Sequence, residues 1–174
     1  MTRGRRSNDG ARYVTSQALG LDVQLALFEP DNAVNVAAVL RLAACLAVPV
    51  LIVEPCGFVW DQRRLRRVGL DYLDRVAVTR LPSWSAFETR RRAEGRRLVL
   101  LTTRAATRHD AVTYRQGDIL LGGRESLGVP DAVHASADLR VRVPLAAGCR
   151  SLNLVTALAI VLGEALRQTG RFPS

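Results

Sequence analysis

The sequence predicts an α/β domain built on a mainly parallel sheet with helices on both faces. Three observations lead to that class. Short apolar runs of strand length alternate with longer segments of helical pattern along most of the chain. The strand-length runs are apolar enough to be buried rather than half solvated. The polar and glycine-rich segments that have no packing role follow the strands, and in such sheets ligands bind beyond the carboxyl ends of the strands. At 174 residues the chain is long enough to bury a core without metal or disulfide staples. Residues 1–21 read as a basic arm carrying Arg3, Arg5, Arg6 and Arg12, and residues 22–174 as the domain.

The domain begins with a strand over Asp22 to Phe28, closed by the turn cluster Glu29-Pro30-Asp31-Asn32. Asn35 opens a helical run through Val39, Leu40, Leu42, Ala43 and Leu46, with Arg41 as a charge on a helix that is otherwise apolar. Val48 to Val53 is the second buried strand. Asp61 to Asp74 follows, with Arg63, Arg64, Arg66 and Arg67 around Leu65 and a tyrosine, Tyr72, shortly after; a one-signed run beside an aromatic suits a phosphate backbone. Arg75 to Thr79 fits a short third strand. Ser83 to Glu94 fits a helix capped by Ser83 or Ser85, with Glu88 three residues after the latter and Arg90, Arg91 and Arg92 complementing the dipole at its end. Leu98 to Thr103 is a strand, Arg104 to His109 a loop, and Asp118 to Leu121 a strand that breaks into a glycine-rich loop, Gly122 to Gly128. Leu139 to Val143 alternates with arginine, so one face is wet or binds anions. From Leu152 to Leu166 the last helix is apolar nearly all round, so it is either central to the core or packed on a second subunit.

All 25 basic residues are arginine, and the formal charge is +9. Such a surface expects an acidic partner, and the planar arginine fork suits phosphate. Cys45, Cys56 and Cys149 lack any C-x-x-C pairing, and His109 and His134 lie far apart, so no zinc site is readable and a reducing compartment is expected. No apolar run is long enough to span a bilayer, and the N-terminus has no secretory core; the expectation is a soluble cytoplasmic protein without membrane or metal partners.

Three loops form the predicted pocket: Thr102-Thr103, Gly122 to Glu125, and Pro144 to Asn153. The adjacent glycines permit close approach of a planar ligand to backbone. Neither histidine has a promising neighbourhood, so no Ser-His-Asp or Cys-His arrangement is proposed, and carboxylate pairs suitable for hydrolysis are absent from the loops. Such a pocket fits a reaction whose reactive group arrives on a cofactor.

Asn35 to Arg41 (N-V-A-A-V-L-R), Gly123 to Pro130 (G-R-E-S-L-G-V-P) and Val143 to Ala157 resemble, in order and separation, the three motifs of the SpoU group within the SPOUT, or α/β-knot, RNA methyltransferases. I-V-E-P-C-G-F at Ile52 to Phe58, R-L-R-R-V-G-L-D-Y at Arg64 to Tyr72, and L-T-T-R at Leu101 to Arg104 look like its small single-domain TrmL branch. The resemblance covers roughly Val23 to Gln168. It implies a deep trefoil knot near the C-terminus, a homodimer, and S-adenosylmethionine held at Leu101, Thr102, Gly123, Val143, Leu145, Ser151, Leu152 and Asn153. It implies a 2′-O-methyltransferase for the wobble cytidine or uridine of leucine tRNA. Arg41 would orient the hydroxyl, Glu125 would be the acidic partner, Asn35 would position Arg41, and Ser151 and Asn153 would serve cofactor or substrate. Ser151 is also a possible helix cap. RNA would be met by Arg41, Arg63, Arg64, Arg66, Arg67, Tyr72 and Arg150. Departures from the family pattern are Ala37 for glycine, Ala38 for asparagine, Arg124 for proline, Val155 for serine, and Leu73 for histidine or an aromatic. Another tRNA or ribosomal RNA site, or an inactive knot-fold RNA-binding protein, are the alternatives.

Overall fold

The computed structural model describes residues 22–61, 63 and 70–174. The N-terminal arm and Arg64, Arg66 and Arg67 lie outside them. Six strands form one sheet: β1 (Gln24–Phe28), β2 (Val50–Val53), β3 (Val78–Leu81), β4 (Leu98–Leu101), β5 (Ile119–Gly122) and β6 (Leu139–Val141). Their order is β3-β2-β1-β5-β4-β6, and all five pairings are parallel. The mainly parallel expectation is therefore met by a sheet parallel throughout, with every carboxyl end on one edge.

Side chains alternate across this sheet and both sides are dry. Leu25 and Leu27 of β1 enter one core, with Val50, Ile52, Val99 and Leu120; Ala26 and Phe28 enter the other, with Leu51, Val53, Leu98, Leu100 and Leu121. Helices cover both faces, as expected. On the first lie α1 (Ala33–Cys45) and α4 (Leu154–Thr169). Their buried positions, Val36, Val39, Leu40 and Ala43 in α1 and Leu158, Val161, Leu162 and Ala165 in α4, have the spacing of one helical stripe. On the second lie α2 (Trp84–Ala93) and the short α3 (Asp131–Ser136). There Trp84 packs edge-on against Phe28 at 5.6 Å and stacks on Phe87 at 4.9 Å.

Several local expectations need correction. α1 begins at Ala33, not Asn35, because the Asn32 side chain accepts the amides of Val34 and Asn35 and caps the helix. The third strand lies at Val78–Leu81 rather than Arg75 to Thr79; residues 70–75 form a 3-10 turn. Ser83 alone caps α2, and Glu88 is not its capping-box partner: buried Glu88 pairs with Arg91 at 2.7 Å and with Arg92 at 3.0 Å. The helical arginines are thus held by specific carboxylates, Arg91 also reaching Asp138 at 3.0 Å. α3 has no counterpart in the sequence reading, since six residues with one buried apolar side chain, Val133, carry no period. Ser151 caps nothing; Asn153 caps α4. That helix buries one stripe in the core and leaves Ile160 at the surface, 38% exposed.

Candidate active site

The carboxyl edge gathers the loops after β1, β4, β5 and β6. The loop after β1 turns sharply at Glu29, whose φ is 41°, and presents Asp31. The carboxylate of Asp31 accepts the amides of Glu125 at 3.2 Å and Ser126 at 3.3 Å, and the Ser126 hydroxyl as well. The glycine-rich loop after β5 is thereby tied to β1 across more than ninety residues of sequence. The same loop closes on itself through paired backbone hydrogen bonds between Arg124 and Gly128, of 3.0 and 2.9 Å.

This closure explains the glycines. A Cβ on Gly123 would sit 2.8 Å from the carbonyl carbon of Gly128, and one on Gly122 would sit 2.7 Å from Leu154 of α4. At Gly123 the obstacle is backbone, so packing itself requires glycine there, whereas at Gly122 a Cβ would meet the end of a flexible leucine side chain; Gly123 also lines the site cavity. Arg124 turns back over the Phe28 ring at 5.5 Å and pairs with Glu29 at 2.7 Å. Its Nε is buried without a hydrogen-bond partner in the structure.

Within this frame three polar side chains join. The Asn35 amide nitrogen donates to Glu125 at 2.8 Å, and its oxygen accepts from the Asn153 amide at 3.2 Å. The other end of the Asn153 amide accepts the backbone N–H groups of Val155 at 2.9 Å and Thr156 at 3.4 Å. One chain of hydrogen bonds so links the first turn of α1, the loop after β5 and the start of α4. Burial, and then the proximity of Asp31, push the Glu125 carboxyl above its ordinary range. Hydrogen bonding with the Glu125 side chain, and then with Ser126, holds Asp31 well below the usual range. Asp31 and Glu125 thus stand as neighbouring carboxyls in the loops, with Asp31 engaged in holding the loop after β5.

Beside this network opens a cavity of about 600 Å³, within the usual range for a small-molecule site. Of the predicted site residues, Asn35, Leu101, Thr102, Gly123, Glu125, Val143, Leu145, Ser151, Leu152 and Asn153 line it. Arg41 does not. It lies six residues along α1 from Asn35, about 9 Å further from the pocket-side end, exposed, with its guanidinium 5.1 Å above the Tyr72 ring. Arg150 and Arg63 are exposed and also outside the lining. Ala37 points into the core, fully buried, so its methyl meets no ligand. Leu73 packs against the same core.

The sequence reading missed His134, which lines the cavity from α3 and whose pKa is lowered by burial and then by Arg104 and Arg140. It missed Asp31 as well, which carried only a turn signal. Arg142, also on the wall, was foreshadowed by the arginine alternation after Leu139. Among the described residues no group of three or more His, Cys, Asp or Glu is placed to hold a metal ion, and no helix is long and apolar enough to cross a membrane.

The model of the SpoU rRNA methylase family matches residues 22–163 of this chain. The chain belongs to that family. A relative named tRNA (cytidine(34)-2′-O)-methyltransferase, from Ancylobacter novellus, is 53% identical over 87% of this chain and 96% of its own length. A solved structure described as giving structural insights into the 2-OH methylation of C/U34 on tRNA superposes with a TM-score of 0.80 at 33% identity, covering 86% of this chain and 97% of that one. The SpoU methyltransferase AviRb from Streptomyces viridochromogenes, solved in complex with AdoMet, gives a TM-score of 0.74 at 25% identity, over 84% of this chain and 57% of that one. In the SpoU fold of this chain, the first and second family motifs meet as the Asn35–Glu125 hydrogen bond and the first and third as the Asn35–Asn153 bond.

Proposed function

We propose that the protein is an S-adenosylmethionine-dependent methyltransferase acting in the cytoplasm on the ribose 2′-hydroxyl of the wobble cytidine or uridine of leucine tRNA. The observation that carries this reading is the Glu125–Asn35–Asn153 chain, fixed beside a cavity at the carboxyl edge of the sheet. The residues present fit the cofactor. Leu101, Val143, Leu145 and Leu152 offer apolar surface, Thr102 a hydroxyl, and Arg104 and Arg142 positive charge toward a carboxylate. When bound, S-adenosylmethionine supplies an electrophilic methyl group on a sulfonium.

The chain's own residues have to position the ribose oxygen and raise its nucleophilicity. Asn35 fixes the rotamer of Glu125, because both ends of its amide are engaged. Glu125 then faces the pocket as an acceptor whose carboxyl holds its proton more readily than a free glutamate. Arg41 orients the hydroxyl and an adjacent phosphate and lowers the barrier to deprotonation; a guanidinium stays charged in that role. Since Arg41 lies outside its own chain's cavity, this role belongs with a homodimer in which Arg41 serves the other chain's pocket. The outward face of α4, with Ile160 exposed, and the neighbouring Leu152, 38% exposed, support such a contact. The C-terminal trefoil knot belongs to the same reading, supported by the seating of β5 between β1 and β4 and by the likeness to the solved structures.

Mapping 2′-O-methyl marks in RNA from cells with and without the gene tests the assignment. The expected result is loss of the wobble mark in leucine tRNA; loss of a mark elsewhere would move the activity to another site. Calorimetry with S-adenosylmethionine separates an enzyme from an inactive RNA-binding protein, since absence of binding at millimolar cofactor defeats the enzyme reading.

A further inference from the structure

A second cavity opens on the same carboxyl edge, at the ends of β2 and β3, and the proposed reaction has no use for it. It measures about 410 Å³ and is lined by Glu54, Cys56, Phe58, Trp60, Arg80 and Pro82, with Pro55. Phe58 and Trp60 stack at 6.2 Å with their planes 22° apart, and the Arg80 guanidinium lies 4.9 Å from the Trp60 centroid. Arg80 is ion-paired with Glu54, so a donor and an acceptor stand together on the rim. Both rings are only half-buried, and Val59 between them is 86% exposed. Two aromatic rings, a planar cation and a hydrogen-bonding rim are the chemistry with which proteins hold unpaired nucleobases.

Position strengthens the reading. The nearest strands of the two cavities, β2 and β5, are two strands apart, about 10 Å, so one extended RNA strand can reach from one cavity to the other. The loop between them is rigidly braced: Gly57 donates its N–H to Pro30 at 2.9 Å and packs so tightly on Asp31 that a Cβ there would lie 2.9 Å from the Asp31 Cβ. Asp31 in turn holds Glu125 and Ser126. The aromatic cavity is thereby fixed in place relative to Glu125. Arg63, exposed and three residues after Trp60, adds a positive charge on the same stretch of chain.

We propose that this cavity holds an unpaired base of the RNA substrate, adjacent in the strand to the nucleotide whose ribose enters the first pocket, by stacking on Trp60 and Phe58 beside Arg80. The inference rests on the RNA-methyltransferase reading above.

The test uses the full chain in a Trp84→Phe background, which leaves Trp60 as the sole tryptophan, and a leucine tRNA anticodon stem-loop as probe. RNA binding should quench Trp60 fluorescence. Abasic substitutions on either side of the wobble nucleotide should weaken binding about tenfold at one position. The same abasic RNA should cost nothing further in Trp60→Ala or Phe58→Leu, both of which keep the cofactor affinity of the parent. Unchanged fluorescence on saturation with RNA, or abasic effects undiminished in both variants, overturns the proposal while methylation of the stem-loop leaves the function standing. Failure of the parent protein to bind or methylate the stem-loop overturns both.

Discussion

Asn153 performs two tasks with one amide: its oxygen caps α4 and its nitrogen holds Asn35. The two separate in a pair of variants. Asn153→Ala is expected to lose about 1 kcal/mol of stability with the cap, as well as activity. Asn153→Asp keeps a capping oxygen and loses the donor, so denaturant unfolding should stay near the parent while turnover falls. Glu125 carries a pH signature. Its pKa is raised by burial and by Asp31, so its carboxylate is lost as pH falls through a value above the ordinary glutamate figure of about 4.3. The acid limb of kcat/KM should therefore lie above that value, and Glu125→Gln should remove the limb together with most of the activity. Asp31 has the opposite sign: depressed in the fold, it contributes stability that is present above its unfolded pKa of about 3.9 and lost as pH falls through its lower folded value. For Arg41, exposed and outside the cavity, Arg41→Ala should abolish turnover with a much smaller loss of cofactor affinity in calorimetry. Equal loss of both would mark the residue as structural.

At the scale of elements, the loop after β5 is a small closed unit whose shape depends on glycine at its base. Gly123→Ala places a methyl against backbone at Gly128 rather than against a flexible side chain, so relief requires the loop to open and the Glu125 and Ser126 amides to leave Asp31. A lower thermal midpoint and weaker cofactor binding are expected together; a variant matching the parent in both would contradict the closed loop. The motifs in Asn35 to Arg41, Gly123 to Pro130 and Val143 to Ala157 made Asn35, Glu125 and Asn153 legible in the sequence. Asp31 was not, because an aspartate after a strand reads as a turn former until the loop that it ties down is known. His134 was hidden for a related reason, since α3 is too short to show a period and its placement comes from Val133 entering the core.

For the whole molecule, the +9 charge and the arginine run are the features to test. Replacing Arg63, Arg64, Arg66 and Arg67 together should weaken RNA binding and flatten the slope of log K against log salt, by roughly 3 if all four meet phosphate. An unchanged slope would return the run to a solvated face. The site itself is a whole-molecule product. β5 lies between β1 and β4, and this alone brings a loop near residue 125 against one near residue 31 and beside the start of α4.

Sequence by itself determined the class of the fold, since apolar strands alternating with striped helices have few ways to bury both faces of a sheet. It also determined the family, through residue types at fixed spacing. The tertiary structure decided what each polar group does: that Asn153 and not Ser151 caps α4, that Gly123 answers to Gly128, that Arg41 stands outside the cavity. The first two are local contacts that residue type alone does not choose between, while the Asn35–Asn153 bond joins segments 118 residues apart, and a contact of that span leaves no local period or cap signal for a sequence to display.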